Sequence, residues 1–162
     1  MQAMRIGIGH DTHRLIAGGP LILGGTEIPF DHRLEGHSDA DAVLHAITDA
    51  LLGAAGMGDI GDLFPDDAPE NAGRDSAEML KLAWSKISSR YRIANIDCIV
   101  FAQRPKISPY KAAMRARIAG ILQLDPQQVN VKAKTGEHVG PVGRGEAMMA
   151  ECIALLIDTQ DA

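Results

Sequence analysis

Two histidines and one aspartate have the residue types and the spacing of a metal site built from two separate elements. Asp11 and His13 stand two residues apart in a segment that alternates like a strand, so their side chains point to one face. His45 lies on a predicted helix between Asp41 and Asp49, and acceptors placed one turn away orient an imidazole that binds a metal. Zinc accepts two histidines and a carboxylate, with a fourth position for water or substrate. Alternatively, His45 is an ordinary histidine on a solvated helix face, and Asp11 and His13 are two independent surface residues near a strand end.

The helix that must position His45 is predicted to begin at Ser38 and to end near Gly56 or Gly58. Ser38 is a favourable N-cap, the aspartates that follow it complement the positive end of the helix dipole, and glycine commonly follows the last turn. One face of this helix should contact a core, because apolar residues recur at helical spacing at Leu44, Ile47, Leu51 and Ala55.

Three polar segments have the composition of binding loops for a small anionic or hydroxylated molecule. The segment 58–67 holds two glycines and four aspartates, which suit either a plain turn region or a mobile flap whose carboxylates bind sugar-like hydroxyls. The loop 135–146 is rich in glycine, and Arg144 supplies a planar set of donors that suits phosphate. Lys106 stands just before a helix predicted to begin with Ser108 as N-cap, where it is either a solvated lysine or part of an anion site.

The remaining elements follow from apolar periodicity and from capping residues. A short hairpin is predicted around Gly24–Gly25, and Asp75 is the expected N-cap of a second helix. The predicted strands span 4–13, 92–103, 129–134 and 147–157, and the further helices span 76–89 and 108–122.

These strands and helices alternate irregularly, without repeated strand–helix–strand units of one length. The pattern favours an α+β fold, with a mixed sheet covered by helices on one face. The length of 162 residues is that of a single domain over 1–162, in which 1–3 and 158–162 are expected to be tails.

The composition argues against nucleic acid and anionic membranes as partners. The chain carries 16 basic and 21 acidic residues, a net charge of −5, and only 4% aromatic residues, which leaves no stacking surface for single strands. Cys98 and Cys152 lie in apolar runs and are expected to be buried free thiols. The first residues form no apolar signal segment and no stretch is long enough to span a bilayer, so a cytoplasmic protein is expected.

Several motifs, in this order, resemble the 2-C-methyl-D-erythritol 2,4-cyclodiphosphate synthase family over roughly residues 4–157. The family forms homotrimers of α+β subunits with each active site between two subunits, so the resemblance implies the same for this chain. The motifs are Gly9-His10-Asp11-Thr12-His13, His37-Ser38-Asp39 with His45, Asp59-Ile60-Gly61 through Phe64-Pro65-Asp66, Ala102-Gln103-Arg104-Pro105-Lys106, Lys132-Ala133-Lys134-Thr135 with Glu137, and Gly143-Arg144-Gly145-Glu146.

The resemblance also implies two metal ions. Asp11, His13 and His45 would hold Zn²⁺ or another divalent transition metal. Glu137 would help to hold a Mg²⁺ or Mn²⁺ ion that bridges the diphosphate of the substrate.

The resemblance assigns further roles residue by residue. His37 and Thr135 would stabilise the transition state. A further set of residues would bind the phosphate, sugar and nucleotide parts of the substrate. They are Ser38, Asp59, Gly61, Phe64, Asp66, Ala102, Lys106, Ala133, Lys134 and Arg144.

The implied reaction is intramolecular. The 2-phosphate oxygen of 4-diphosphocytidyl-2-C-methyl-D-erythritol 2-phosphate attacks the β-phosphorus, and cytidine monophosphate (CMP) leaves as 2-C-methyl-D-erythritol 2,4-cyclodiphosphate forms. Two alternatives use the same residues: a metal-dependent phosphohydrolase of a nucleotide-linked substrate, and a non-enzymatic protein that binds zinc and a nucleotide. Structural zinc sites usually have four protein ligands, which disfavours the second alternative.

Two positions in the last loop carry further implications of the resemblance. Arg144 and Glu146 would lie near the trimer axis, where the family binds isoprenoid diphosphates. Gly136 departs from the family pattern, in which Thr or Asn is expected, so a polar contact in the nucleotide pocket would fall to the backbone.

Overall fold

Seven strands form the β-structure of the computed structural model, which describes residues 3–65, 69 and 73–160. In chain order the strands are β1 Met4–Ala17, β2 Leu21–Leu23, β3 Thr26–Ile28, β4 His32–Leu34, β5 Tyr91–Phe101, β6 Val129–Lys134 and β7 Ala147–Asp158. The helices are α1 Ala42–Ala55, α2 Ile60–Leu63, α3 Ser76–Ile87, α4 Lys111–Leu122 and α5 Gly140–Gly143.

Five of these strands form one sheet in the order β4-β1-β7-β5-β6. Neighbouring strands are antiparallel except β5 and β6, which are parallel, so the sheet is mixed as predicted. α1 packs across β1 and β7, while the opposite face of the sheet exposes Ile6, Ile8 and Ile153. The predicted α+β class and the predicted hairpin of β2 and β3 are both confirmed.

The backbone of α1 lies directly on β1 because two glycines of β1 face it. A Cβ atom at Gly9 would lie 1.8 Å from the carbonyl oxygen of Ala46, and one at Gly7 would lie 1.9 Å from that of Ala50. These distances leave no room for a side chain, so the two glycines set the depth at which α1 packs on the sheet. The same contact fixes the position of His45, the residue before Ala46, relative to β1.

We expect Gly9→Ala to destabilise the fold by about 3 kcal/mol, because the added methyl group must displace the backbone of α1. Urea denaturation measures this free energy of unfolding. Gly120→Ala in α4 is the matched control, since nothing lies within 4 Å of a Cβ atom added there. Helix propensity predicts that the control gains up to about 1 kcal/mol. Equal unfolding free energies for the two variants would contradict the packing argument.

α1 begins later than the sequence predicted, because Asp41 rather than Ser38 is its N-cap. The Asp41 carboxylate accepts hydrogen bonds from the N–H groups of Val43 and Leu44, both at 3.1 Å. It also accepts two N–H groups from the turn between β2 and β3, at 2.8 and 2.6 Å. Ser38, Asp39 and Asp41 can all cap a helix. Asp41 is the N-cap here because the hairpin turn also donates to its carboxylate. The helix ends at Ala55, and Gly56, the first of the two glycines predicted near its end, is the C-cap with a φ of 72°.

Two segments predicted as loops contain one-turn helices, and α4 starts differently from the prediction. α2 lies within the predicted flap, where the Asp59 carboxylate caps it by accepting the N–H of Asp62 at 3.0 Å. α5 lies within the predicted glycine-rich loop. Ser108 is not an N-cap, because a 3₁₀ turn runs from Ser108 to Tyr110 and α4 begins at Lys111. A single turn carries no apolar period, so periodicity did not predict these two short helices.

The last strand continues into the segment predicted as a tail. Asp158 belongs to β7 and is buried, and its carboxylate accepts hydrogen bonds from Arg90 at 2.7 and 2.8 Å.

The two cysteines are buried free thiols, as predicted. Cys98 and Cys152 lie opposite each other on β5 and β7, within the core under α1. In the described parts of the chain, no helix combines the length and the apolar character needed to cross a membrane.

Candidate functional site

Three side chains converge beside the first turn of α1. The Nε2 atom of His13 lies 2.9 Å from Oδ2 of Asp11, Nδ1 of His45 lies 3.1 Å from the same oxygen, and the two nitrogens are 3.5 Å apart. Ligands of a tetrahedral zinc ion, at 2.0–2.1 Å from the metal, lie about 3.3 Å from one another. The triangle therefore has the size of one face of such a tetrahedron, and the predicted set is confirmed as a possible metal site.

The His13 ring is held in the orientation that a metal ligand needs. Its Nδ1 atom lies 2.7 Å from the backbone oxygen of Glu35, and a carbonyl oxygen can only accept, so Nδ1 carries the proton. Nε2, which lies 2.9 Å from Oδ2 of Asp11, is thereby the ring nitrogen that can give its lone pair to a metal in place of the hydrogen bond to Asp11. Gly36 allows this arrangement, because a Cβ atom there would lie only 3.1 Å from Cε1 of His13 and 2.9 Å from the Cβ of Ala40.

His45 is oriented by different groups from those that the sequence suggested. The Asp41 carboxylate is occupied with backbone N–H groups at the start of α1, and that of Asp49 accepts the first N–H of α2 at 2.7 Å. The Nε2 atom of His45 instead lies 2.8 Å from Oγ of Ser76 and 3.2 Å from Oγ of Ser38. The prediction that flanking carboxylates orient this ring is therefore wrong, because both carboxylates pair with N–H groups instead.

The electrostatics of the cluster favour a cation. Burial opposes the charge of Asp11, but the hydrogen bonds from His13 and His45 outweigh it and hold the pKa of this carboxyl well below its usual range. Burial also opposes a charge on His13, yet the pairing with Asp11 raises the pKa of the imidazole. A divalent cation would interact with the same carboxylate in place of these hydrogen bonds.

A cavity of about 210 Å³ opens beside the three ligands. Their side chains are 13–22% exposed, so a ligand in the cavity can reach them. Four residues predicted to bind substrate or stabilise the transition state line the same cavity: His37, Ser38, Gly61 and Phe64.

The Phe64 ring is buried, and the Arg74 guanidinium stacks over it with 5.0 Å from Cζ to the ring centre. Asp59 lies next to the cavity-lining residues of α2, and its exposed side chain caps that helix. Asp66, also predicted to bind substrate, lies outside the described residues.

A second cavity, of about 400 Å³, collects the residues predicted to bind the nucleotide. It lies where β5 and β6 end side by side, and its lining includes Ala102, Lys106, Ala133, Lys134 and Thr135.

Thr135 and Glu137 are joined at the edge of this second cavity. The Thr135 hydroxyl donates to the Glu137 carboxylate at 3.0 Å, and the Glu137 N–H donates to the same hydroxyl oxygen at 3.2 Å. Both residues are exposed, so a hydroxyl and a carboxylate are presented together to solvent or to a ligand.

Arg144 lines a third cavity, of about 300 Å³, which shares Gln103 and Arg104 with the lining of the second cavity. Its guanidinium donates two hydrogen bonds to the Glu146 carboxylate, at 2.8 and 3.0 Å. Gly136 also belongs to this loop, and a Cβ atom there would lie 2.3 Å from the backbone nitrogen of Gly143. The backbone of Gly143 thus occupies the space where a larger residue would place its side chain.

The structure therefore brings the predicted residues together in separate groups. The cavity beside the three candidate metal ligands and the cavity of the residues predicted to bind the nucleotide share no lining residue. Among the described residues, Glu137 does not join the cluster of Asp11, His13 and His45.

The comparisons with known proteins agree with the motif order. The model of the YgbB family matches residues 4–157. The chain belongs to the YgbB family. A curated member of high similarity is the 2-C-methyl-D-erythritol 2,4-cyclodiphosphate synthase of Laribacter hongkongensis (strain HLHK9), which is 53% identical over 154 residues, or 94% of this chain and 95% of the relative.

Solved structures of two similar proteins have the same fold as this YgbB chain. The bifunctional IspDF protein of Campylobacter jejuni matches with a TM-score of 0.94 and 40% identity, and the match covers 98% of this chain but 43% of that protein. The IspF protein of Plasmodium falciparum, in a complex with CDP, matches with a TM-score of 0.85 and 36% identity over 98% of both chains. The family predicted from the motifs is confirmed.

Sequence reasoning missed three contributors to this YgbB site. Ser76 was interpreted only as the first residue of a helix, Gly36 was given no role, and Glu35 acts through its backbone oxygen, which no side-chain pattern reveals. The one available signal was the glycine directly before His37, since a glycine beside a candidate site often marks a close approach of the chain.

Proposed function

We infer that this chain is an enzyme of non-mevalonate isoprenoid biosynthesis. It converts 4-diphosphocytidyl-2-C-methyl-D-erythritol 2-phosphate to 2-C-methyl-D-erythritol 2,4-cyclodiphosphate and releases CMP. Curated relatives with this activity share about half of their residues with it over nearly the whole chain. The observation that carries the inference is the converged cluster of Asp11, His13 and His45 in a chain of that similarity.

The three ligands fit Zn²⁺ or another divalent transition metal, since two imidazoles and one carboxylate leave a fourth position open. A cation bound there supplies Lewis-acid stabilisation of the charge that develops on the phosphoryl oxygens. Ser38 and His37 line the same cavity, where they contact the phosphates, and His37 stabilises the transition state. The cavity aligns the two reacting phosphates, which removes much of the entropic cost of cyclisation.

The nucleotide half of the site lies at the ends of β5 and β6. Lys106 and Lys134 supply positive charge for the cytidine monophosphate part, and Ala102 and Ala133 leave room for it. Thr135, the second residue that stabilises the transition state, lines the same cavity.

Glu137 would hold Mg²⁺ or Mn²⁺ together with substrate phosphates. Magnesium is often bound in this way, by one or two carboxylates and the phosphates of a ligand. Its carboxylate is exposed beside the Thr135 hydroxyl, which gives the ion access to both.

The methylerythritol part is bound by the segment around α2. Gly61 and Phe64 line the cavity beside the metal ligands, and Asp59 stands at the start of the same helix. We assign Asp66 to the same set of methylerythritol-binding residues.

A homotrimer joins the two halves of the site between neighbouring subunits. Its support within one chain is that the metal cavity and the nucleotide cavity have separate linings. A second support is the uncovered sheet face, on which Ile6 and Ile8 are 73% and 70% exposed. Near the trimer axis, Arg144 with its partner Glu146 is the proposed contact for an isoprenoid diphosphate.

Product analysis tests the reaction directly. We expect the pure protein, with the diphosphocytidyl substrate, Zn²⁺ and Mg²⁺ in ¹⁸O-labelled water, to give a cyclic diphosphate and CMP without label, because the attacking oxygen belongs to the substrate. Mass spectrometry identifies both products. Label in a phosphate product would indicate a phosphohydrolase, and no product with full ligand binding would indicate a non-enzymatic binding protein.

A further inference from the structure

A network of hydrogen-bonded polar side chains lies behind His45, on the side away from Asp11 and His13. Nε2 of His45 lies 2.8 Å from Oγ of Ser76, the first residue of α3, which is 1% exposed. The Ser76 hydroxyl donates to Oδ1 of Asp39, and the Ser76 N–H donates to Oδ2 of the same carboxylate at 3.2 Å. The carboxylate is thus bound at both oxygens by a single residue.

The donors and acceptors among these hydrogen-bonded side chains can be assigned. A serine hydroxyl has one hydrogen, and here it is used on Asp39, whose carboxylate can only accept. The Ser76 oxygen therefore accepts at its contact with His45, so Nε2 of the ring must carry a hydrogen. Nδ1, the atom that faces Asp11 and His13, is then the ring nitrogen that can give its lone pair to a metal in place of the hydrogen bond to Asp11.

We propose that Ser76 and Asp39 are positioning residues that fix the tautomer and the ring orientation of His45 for metal binding. Histidine ligands commonly donate their second N–H to an acceptor that strengthens the bond to the metal. Here the acceptor is a serine backed by a carboxylate, and it comes from α3, 31 positions away along the chain. The inference rests on the metal centre of the proposed function.

Ser38 is the weaker partner of the same nitrogen. Its hydroxyl is 3.2 Å from Nε2, and its oxygen also accepts the N–H of Ala40 at 3.1 Å. Since Ser76 is closer and is itself held by a carboxylate, it decides the state of the ring.

Zinc affinity is the first measurement, by equilibrium competition between the apo-protein and a chromogenic chelator. We expect Ser76→Ala to weaken Zn²⁺ binding by about 10- to 100-fold, the usual effect of losing such a partner. Ser76→Thr keeps the hydroxyl and restores most of the affinity. Ser85→Ala is the matched control on the same helix, because its exposed hydroxyl donates only to the Leu82 carbonyl at 2.7 Å.

Nitrogen NMR of the zinc-loaded, ¹⁵N-histidine-labelled protein is the second measurement, and general loosening of the fold would not reproduce its result. We expect a sharp Nε2–H signal of His45 in the wild type, protected from exchange by Ser76, and its loss in Ser76→Ala. The Nδ1–H signal of His13, held by the Glu35 carbonyl, is the internal reference and stays unchanged.

The outcomes separate this inference from the metal centre. If the wild type binds neither Zn²⁺ nor another transition metal, the metal centre fails and the positioning role fails with it. If the wild type binds Zn²⁺ and Ser76→Ala binds it equally well with the His45 signal intact, only the positioning role fails. Should Ser76→Ala not fold, Asp39→Asn takes its place: weaker Zn²⁺ binding supports the role, and unchanged affinity overturns it.

Discussion

We expect that refolding His45→Ala and Lys106→Ala chains together restores activity well above that of either variant refolded alone. In the proposed homotrimer, each variant carries its lesion in every site, because one change would damage the metal half and the other the nucleotide half. In randomly mixed rings, a site is intact when its metal half comes from a Lys106→Ala chain and its nucleotide half from a His45→Ala chain. Roughly a quarter of the sites meet this condition in a head-to-tail ring.

The measurement is turnover of the refolded mixture against the mean of the two parents, each refolded alone. Native mass spectrometry confirms that the chains have mixed. A site contained within one chain predicts activity at the parental mean. Mixed rings with no gain over that mean would therefore refute the shared site.

His45→Ala alone is expected to remove bound zinc and to lower turnover on the order of 10³-fold, since a bound metal ion supplies several kcal/mol of transition-state stabilisation. The fold should survive, because the side chain is 13% exposed and lies at the edge of the core rather than within it. Zinc content by elemental mass spectrometry, turnover and the thermal unfolding midpoint are the three measurements.

His32→Ala is the matched control for this change. Its imidazole is 40% exposed, pairs with Asp31 at 2.8 Å and takes no part in the metal cluster. It should keep its zinc and its turnover. A folded His45→Ala protein with normal zinc content and normal turnover would show that this histidine is not a ligand.

The sequence by itself identified the three candidate metal ligands, and the reason is local geometry. Residues two apart on a strand share a face, so Asp11 and His13 had to point together once β1 formed. The helix of His45 was evident from its apolar period, and Asp75 was predicted correctly as the N-cap of α3. β6 has the predicted bounds, Val129–Lys134, because alternation and flanking polar residues define a short strand well.

The tertiary structure decided the contacts that join distant parts of the chain. Ser38, Asp39 and Asp41 are all capable caps, and only the hairpin turn packed against Asp41 selects among them. In the same way, His45 has two carboxylates one turn away, yet it is oriented by a serine from another helix.

The sequence alone also did not predict how closely α1 packs on the sheet. The glycines of β1 are visible as a pattern, but only the packed helix shows that their missing side chains let His45 reach Asp11 and His13. The separation of the metal cavity from the nucleotide cavity is a further result of packing. A sequence shows which groups can form hydrogen bonds or bind metals, whereas the pairs that form depend on distances that only the folded chain sets.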